Sequence, residues 1–164
     1  MELNLADEPA TACAGAALAR KLPDLAQRSL LLGLSGELGS GKTTLARALL
    51  RSLGVSGTIR SPTFTLVEPY ETASGSVHHL DLYRLDPGAR ALEAIGYRDL
   101  RGLPGLVIVE WPERAGTALG ETDLSINLEH RGTGRRISLA ARSESGRAWL
   151  AASRALLEEC GVSS

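Results

Sequence analysis

The chain has almost no excess of charge of either sign. Its 164 residues include 18 Lys and Arg against 19 Asp and Glu, which gives a net charge of −1. The isoelectric point is near 6.3. Proteins that hold nucleic acid by bulk electrostatics carry a strongly basic surface. We therefore expect any role with nucleic acid to be indirect or to act through a partner protein.

Long apolar runs and cysteine are also scarce. No stretch approaches the roughly 20 apolar residues that a membrane span needs, and residues 1–8 are acidic, unlike the start of a signal peptide. We expect no membrane association and a cytoplasmic location. Cys13 and Cys160 lie far apart and outside any C-x-x-C pair. We expect both to be reduced, buried, small hydrophobic residues.

A glycine-rich pattern, G-x-x-x-x-G-K-[ST], occupies residues 36–43. The apolar run at residues 30–34 precedes it, and a helix-forming segment with leucines spaced four apart follows at residues 44–53. A strand, a glycine turn and a helix in this order are typical of a phosphate-binding loop. In such a loop Lys42 reaches the β and γ phosphates and the Thr43 hydroxyl holds Mg²⁺. The alternative is a chance match or a plain helix cap in a chain with 18 glycines.

Two carboxylates occupy positions where a nucleotide hydrolase needs them. Glu110 ends the apolar run at residues 106–109, and Asp81 lies in the alternating segment at residues 77–83. A carboxylate at the end of a neighbouring buried strand binds Mg²⁺ in P-loop proteins, directly or through water. We predict that Glu110 serves the metal and that Asp81 supports it or orients the attacking water. The alternatives are a surface acid for Glu110 and an ion pair with Arg84 for Asp81.

The histidines near Asp81 superficially resemble part of an iron site with two histidines and one carboxylate. Neighbouring residues of a strand point to opposite faces, so His78 and His79 cannot both face one metal. Only His79 shares a face with Asp81, and a further ligand would have to come from elsewhere, such as His130. The pattern therefore argues against an iron centre.

The sequence also lacks the N-K-x-D motif that reads guanine. The D-x-x-G at residues 99–102 follows a helical pattern and not a buried strand. We therefore expect ATP as the nucleotide. A small-molecule or nucleoside kinase remains an alternative, because kinases share the phosphate loop and use an Arg-rich lid, and residues 84–101 carry four arginines. A solvated helix face explains these arginines better than a lid does. A nucleotide-dependent assembly module that does not hydrolyse is a third alternative.

The whole pattern predicts one domain over residues 1–164, with a three-layer α/β fold of the P-loop NTPase type. We expect a mainly parallel central sheet with antiparallel hairpin additions and flanking helices. The predicted strands lie near residues 2–5, 30–34, 66–71, 77–83, 106–110, 123–129 and 136–142. The predicted helices lie near residues 8–22, 44–53, 88–95 and 145–159, the third of them opened by Asp86 and Pro87.

Four segments, in this order, resemble the TsaE (YjeE) family of small bacterial P-loop ATPases. They are residues 36–44, 61–70, 79–85 and 109–113. Together they are far more specific than the phosphate loop alone, although the tail after about residue 120 matches only loosely. The resemblance implies a role in making threonylcarbamoyladenosine at position 37 of tRNAs that read ANN codons. It further implies that hydrolysis supports turnover by a TsaD–TsaB heterodimer, with tRNA reached through that complex.

The resemblance also implies roles for individual residues. Lys42, Asp81 and Glu110 would act in catalysis, with Thr43 and Glu110 holding Mg²⁺. The nucleotide would be bound by Thr11, Leu38, Gly39, Ser40, Gly41, Lys42, Thr43, Thr44 and Arg135. Apart from the resemblance, residues 61–65 occupy the place of a switch segment in many P-loop nucleotide hydrolases, and we hypothesise that partners dock near residues 61–70, with Thr63 and Phe64. Glu37 and Ser40 replace the family's frequent Asp and Ala, which should not impair a loop that binds through its backbone.

Overall fold

The computed structural model describes residues 1–59, 62, 65–85 and 89–161. The predicted switch residues Ser61, Thr63 and Phe64 lie outside the described residues, as do Asp86 and Pro87. Within the described ranges the strands are β1 (Glu2–Leu5), β2 (Ser29–Gly36), β3 (Val67–Thr72), β4 (Gly75–Asp81), β5 (Gly105–Glu110), β6 (Leu124–Arg131) and β7 (Gly134–Ala141). The helices are α1 (Glu8–Arg20), α2 (Lys42–Ser52), α3 (Ala89–Ala94), α4 (Tyr97–Gly102), a 3₁₀ helix (Pro112–Leu119) and α5 (Glu144–Cys160).

The strands form one sheet in the order β1-β7-β6-β2-β5-β4-β3. Its centre is parallel, since β2 pairs in parallel with both β5 and β6, and β4 pairs in parallel with β5. The outer pairings, β3 with β4, β6 with β7 and β1 with β7, are antiparallel. This confirms the predicted mainly parallel sheet with antiparallel additions. The parallel strands end together, so the ends of β2, β4 and β5 share one edge of the sheet.

Both faces of the central strands are covered by apolar side chains. Leu30, Leu32 and Leu34 of β2 belong to the larger core cluster, which includes residues of α1, α2 and α5. Leu31 belongs to a smaller cluster on the other face, together with residues of α3, α4 and the 3₁₀ helix. Strands buried on both faces read as continuous apolar runs, and this is why the sequence identified β2 and β5 clearly.

The sequence analysis did not predict two short helices, α4 and the 3₁₀ helix. Gly96 has a φ of 69° and separates the two helices: α3 ends at Ala94, and α4 begins at Tyr97. The 3₁₀ helix follows Trp111, whose φ of 60° turns the chain sharply after β5. The D-x-x-G at residues 99–102 lies within α4 and does not follow a buried strand. No α-helix in the described ranges is long and apolar enough to cross a membrane.

The prediction for the two cysteines is wrong. Cys13 and Cys160 form a disulfide, with Cα atoms 5.7 Å apart, between α1 and α5. Cys13 is exposed and Cys160 half-buried, so neither acts as a buried hydrophobic residue. The helices α1 and α5 pack against each other. This packing brings together two positions 147 residues apart, which no local sequence pattern reports.

Candidate functional site

The glycine-rich loop joins the end of β2 to the first turn of α2. Gly36 and Gly41 have φ values of 134° and 106°, which strongly favour glycine. A Cβ atom on Gly36 would collide with the carbonyl oxygen of Leu128 in β6, and one on Gly41 would lie 3.2 Å from Cγ2 of Thr11 in α1. The loop is therefore formed against two neighbouring elements, at a helix N-terminus that favours anions.

Lys42 places its ammonium group at the mouth of this loop. Its Nζ donates to the carbonyl oxygens of Gly36 and Glu37, at 2.8 Å each, and lies 4.0 Å from the ring centroid of Trp111. Burial lowers the pKa of Lys42, while the nearby Glu110, Glu113 and Asp81 carboxylates act in the opposite direction. Trp111 has a left-handed backbone conformation, and its indole lies over the lysine ammonium, a contact that the sequence did not predict.

Glu110 and Asp81 meet at the ends of their strands. Each is the last residue of its strand, and the parallel register of β4 and β5 places them opposite one another. Only 2% of Glu110 and 5% of Asp81 is exposed. Asp81 Oδ1 accepts a hydrogen bond from the backbone N–H of Tyr83 at 3.0 Å. Two carboxylates thus lie at the edge of the sheet where the phosphate loop begins.

The Glu110 carboxylate is held at both oxygens. Oε2 accepts a hydrogen bond from the Thr43 hydroxyl at 2.8 Å, and Oε1 lies 2.8 Å from Nε2 of His79. The first contact joins the strand end directly to the first turn of α2. The sequence analysis considered His79 only as a metal ligand and missed this contact. The available signal was its position two residues before Asp81, on the same face of β4.

The residues at this edge suit Mg²⁺. The Thr43 hydroxyl and the Glu110 carboxylate are oxygen donors, which Mg²⁺ prefers, and it needs few of them because it keeps several waters. By contrast, the part of the chain that the structure describes contains no group of three or more His, Cys, Asp or Glu side chains that could hold a metal.

Thr11 and Arg135 contact the loop from neighbouring elements. Thr11 on α1 is buried and donates its hydroxyl to the Asp7 carbonyl oxygen at 3.1 Å, with its methyl group facing Gly41. Arg135 on β7 donates from Nε to the Ser40 carbonyl oxygen at 2.8 Å, and from a terminal nitrogen to that of Gly39 at 3.2 Å. The structure therefore brings both predicted nucleotide contacts to the loop.

A cavity of about 410 Å³ opens over the loop and the strand ends. Its lining includes most of the predicted site residues, and also Tyr83, Arg84 and Trp111, which the sequence analysis did not assign to the nucleotide. The predicted residues in the lining are Leu38, Gly39, Gly41, Lys42, Thr43, Thr44, Asp81 and Glu110. The backbone of the glycine-rich loop, two cations (Lys42 and Arg84) and two carboxylates thus face one cavity, an arrangement suited to a metal-bound polyphosphate.

Comparison with known proteins identifies related sequences. A family profile described as "Threonylcarbamoyl adenosine biosynthesis protein TsaE" matches residues 5–137. A Haemophilus influenzae protein named tRNA threonylcarbamoyladenosine biosynthesis protein TsaE is 38% identical over 122 residues, 74% of this chain and 76% of that protein. A protein of the same name from Synechocystis is 42% identical over 116 residues, 70% of this chain and 71% of that protein.

A solved structure described as "Crystal structure of Bacillus subtilus YdiB" shares the fold. It superposes with a TM-score of 0.69 over 97% of this chain and 95% of that chain. The sequences are 23% identical, so this likeness concerns the fold alone.

Proposed function

The chain belongs to the TsaE family of tRNA threonylcarbamoyladenosine biosynthesis proteins, and we propose that it is the component of that machinery that binds and hydrolyses ATP. The observation that carries the proposal is the 2.8 Å hydrogen bond between Thr43 and Glu110. It joins the phosphate loop to a buried carboxylate at a strand end. A loop that merely capped a helix would not need this contact.

In this proposal each residue has a distinct task. The loop backbone surrounds the β and γ phosphates, and Lys42 neutralises their charge. Thr43 and Glu110 would hold Mg²⁺, which when bound neutralises charge across the two phosphates. Asp81, opposite Glu110 in the register, orients the attacking water or accepts its proton. The products are ADP and inorganic phosphate.

The positions of the arginines favour hydrolysis over the kinase alternative. Arg101 donates to the hydroxyl of Ser29 at 2.7 Å. Ser29 begins β2 and the phosphate loop follows its last residue, so the two ends of this strand of eight residues are about 23 Å apart. Arg98 is 89% exposed and lies beside Glu93. These two arginines of α4 therefore lie away from the cavity, and among the described residues of the segment at 84–101, Arg84 is the arginine that lines it.

We propose a TsaD–TsaB heterodimer as the partner, with tRNA reached through that complex in the cytoplasm. We expect the isolated chain to hydrolyse ATP slowly, because an arginine supplied in trans is worth roughly 10³–10⁵ in rate in other P-loop proteins. The segment at residues 61–70 is the proposed docking switch. If Thr63→Ala and Phe64→Ala leave binding and stimulation by TsaD–TsaB intact, that docking site is wrong.

The test is phosphate release from ATP by the purified chain, alone and with TsaD–TsaB. We expect the pair to stimulate release, and we expect Lys42→Ala and Glu110→Ala to abolish it. Lys21→Ala and Glu159→Ala are the matched controls, because both side chains are exposed and neither lines the cavity. Consumption of ATP only when a small acceptor is added would favour the kinase. Nucleotide binding equal in the wild type and Lys42→Ala would contradict the site itself.

A further inference from the structure

His79 is a buried polar residue among buried apolar residues of β4. The side chain is fully buried, between the apolar positions Val77 and Leu80, which are buried as well. Its Nε2 lies 2.8 Å from Glu110 Oε1, and its Nδ1 has no hydrogen-bond partner in the described part of the chain. Burying an unpaired polar atom costs about 1–3 kcal/mol, so packing alone favours an apolar residue here. The contact with Glu110 is therefore the feature that distinguishes histidine at this position.

The direction of this hydrogen bond follows from the chemistry of the two groups. A carboxylate only accepts hydrogen bonds, so the proton lies on Nε2 of His79 and the ring donates. Thr43 donates to the other oxygen of the same carboxylate. With one donor on each oxygen, the plane of the Glu110 carboxylate is fixed. Rotation of the carboxylate about the Cγ–Cδ bond of Glu110 would break both hydrogen bonds together.

We propose that His79 is a positioning residue for the metal-binding carboxylate. By holding Oε1, it keeps Oε2 of Glu110 beside the Thr43 hydroxyl, where the proposed function requires the two oxygens to serve Mg²⁺. This inference rests on the proposed function and adds the residue that orients its carboxylate. Groups that hold the ligands of a metal typically contribute 10- to 100-fold to its affinity.

The measurement is the affinity for a nonhydrolysable ATP analogue, with Mg²⁺ and with EDTA, by isothermal titration calorimetry. The ratio of the two dissociation constants reports the coupling between metal and nucleotide. A merely structural histidine would change both constants together. We expect His79→Leu to reduce the ratio at least tenfold while the affinity in EDTA changes less than about twofold.

Two further variants test whether the hydrogen-bond donor must reach Glu110 or whether any polar side chain at position 79 is sufficient. The amide nitrogen of Gln reaches the place of Nε2, so His79→Gln should keep the ratio within about threefold of the wild type. Asn is too short to reach Glu110, so His79→Asn should lower the ratio as Leu does. This pair decides the matter even if His79→Leu fails to fold. His78→Gln, the neighbouring histidine on the other face of β4, is the matched control and should leave the ratio unchanged.

The outcomes distinguish this inference from the proposed function. If Glu110→Gln lowers the ratio but the Leu, Asn and Gln variants of His79 all retain it, the positioning role is wrong and the metal assignment stands. Equal losses in His79→Gln and His79→Asn would also overturn the positioning role. If Glu110→Gln itself leaves the ratio unchanged, the metal assignment in the proposed function is wrong.

Discussion

The two halves of the candidate site are held in different ways. The loop half, residues 36–43, takes its shape from backbone geometry, with glycines pressed against β6 and α1. The strand half comprises His79, Asp81 and Glu110, and side-chain hydrogen bonds hold its central carboxylate. Thr43 joins the two halves. The loop half should therefore be sensitive to atoms added where its glycines touch β6 and α1, while the strand half should be sensitive to the identity of its hydrogen-bond donors.

The largest expected effect is on the loop half. Gly36→Ala should abolish nucleotide binding and lower the free energy of unfolding by about 3 kcal/mol or more, because the new Cβ collides with the Leu128 carbonyl oxygen. Gly39→Ala is the matched control for the collision, since Gly39 also has a positive φ, of 74°, but a Cβ there meets nothing within 4 Å. Chemical denaturation and calorimetry measure both quantities. Similar losses in the two variants would show that the φ value, and not the collision, limits the loop.

The next effect concerns α1, the helix that packs against the loop half. This helix carries Thr11, which contacts Gly41, and Cys13, which forms the disulfide. The disulfide encloses a sequence separation of 147 residues, for which chain entropy predicts about 5 kcal/mol of stabilisation, and 2–4 is the usual range. The double variant Cys13→Ser with Cys160→Ser should unfold at lower denaturant concentration than the wild type without reductant. Its ratio of nucleotide affinities with Mg²⁺ and with EDTA should not change.

Reductant provides the control for this prediction. With dithiothreitol the wild type and the double variant should unfold at the same denaturant concentration. Identical curves without reductant would mean that the cysteines are not bonded in solution.

In the strand half, Asp81→Asn separates an effect on the hydrolysis step from an effect on nucleotide binding. The amide keeps the size of the side chain but cannot accept a proton, so we expect kcat for ATP hydrolysis with TsaD–TsaB to fall by about 10²-fold or more. KM should change little, because the loop and Lys42 remain intact. A rise in KM with unchanged kcat would assign Asp81 to nucleotide binding instead.

The smallest effect is expected at the rim of the loop half. Arg135→Ala removes two hydrogen bonds to the carbonyl oxygens of Ser40 and Gly39, and should weaken nucleotide binding about tenfold. Arg136→Ala is the matched control, since it removes only an exposed ion pair with Glu2. Equal affinities for the two variants would exclude Arg135 from nucleotide binding.

Local patterns predicted the loop half well and the strand half only in part. An apolar strand, glycines at fixed spacing and a helix specify the loop within a short stretch of sequence. Glu110 was also recognisable, because β5 is a continuous apolar run that ends in it. The contact with His79 depends on the register between β4 and β5, strands separated by about 25 residues. No pattern within β4 alone reveals which atom of Glu110 its histidine meets.

The short elements were missed for a related reason. A helix of six residues such as α4 presents less than two turns of periodicity, so its pattern is weak. The 3₁₀ helix depends on the left-handed conformation of Trp111, which non-glycine residues rarely adopt. Both elements are stabilised by packing against the smaller core cluster, which includes Tyr97 and Ala115. Such tertiary support is not encoded in the local sequence.

The disulfide between α1 and α5 also determines how the molecule responds to a pulling force. It closes a covalent ring that contains β2 through β7. β1 lies outside the ring and pairs with β7. When the segments before Cys13 and after Cys160 are pulled apart, β1 should detach from β7 first. The load then passes through the sulfur–sulfur bond, and the strands inside the ring bear none of it. Reduction transfers the same load to the strands. In single-molecule extension, the oxidised molecule should therefore lengthen only by the segments outside the ring, while the reduced molecule should unravel its whole sheet.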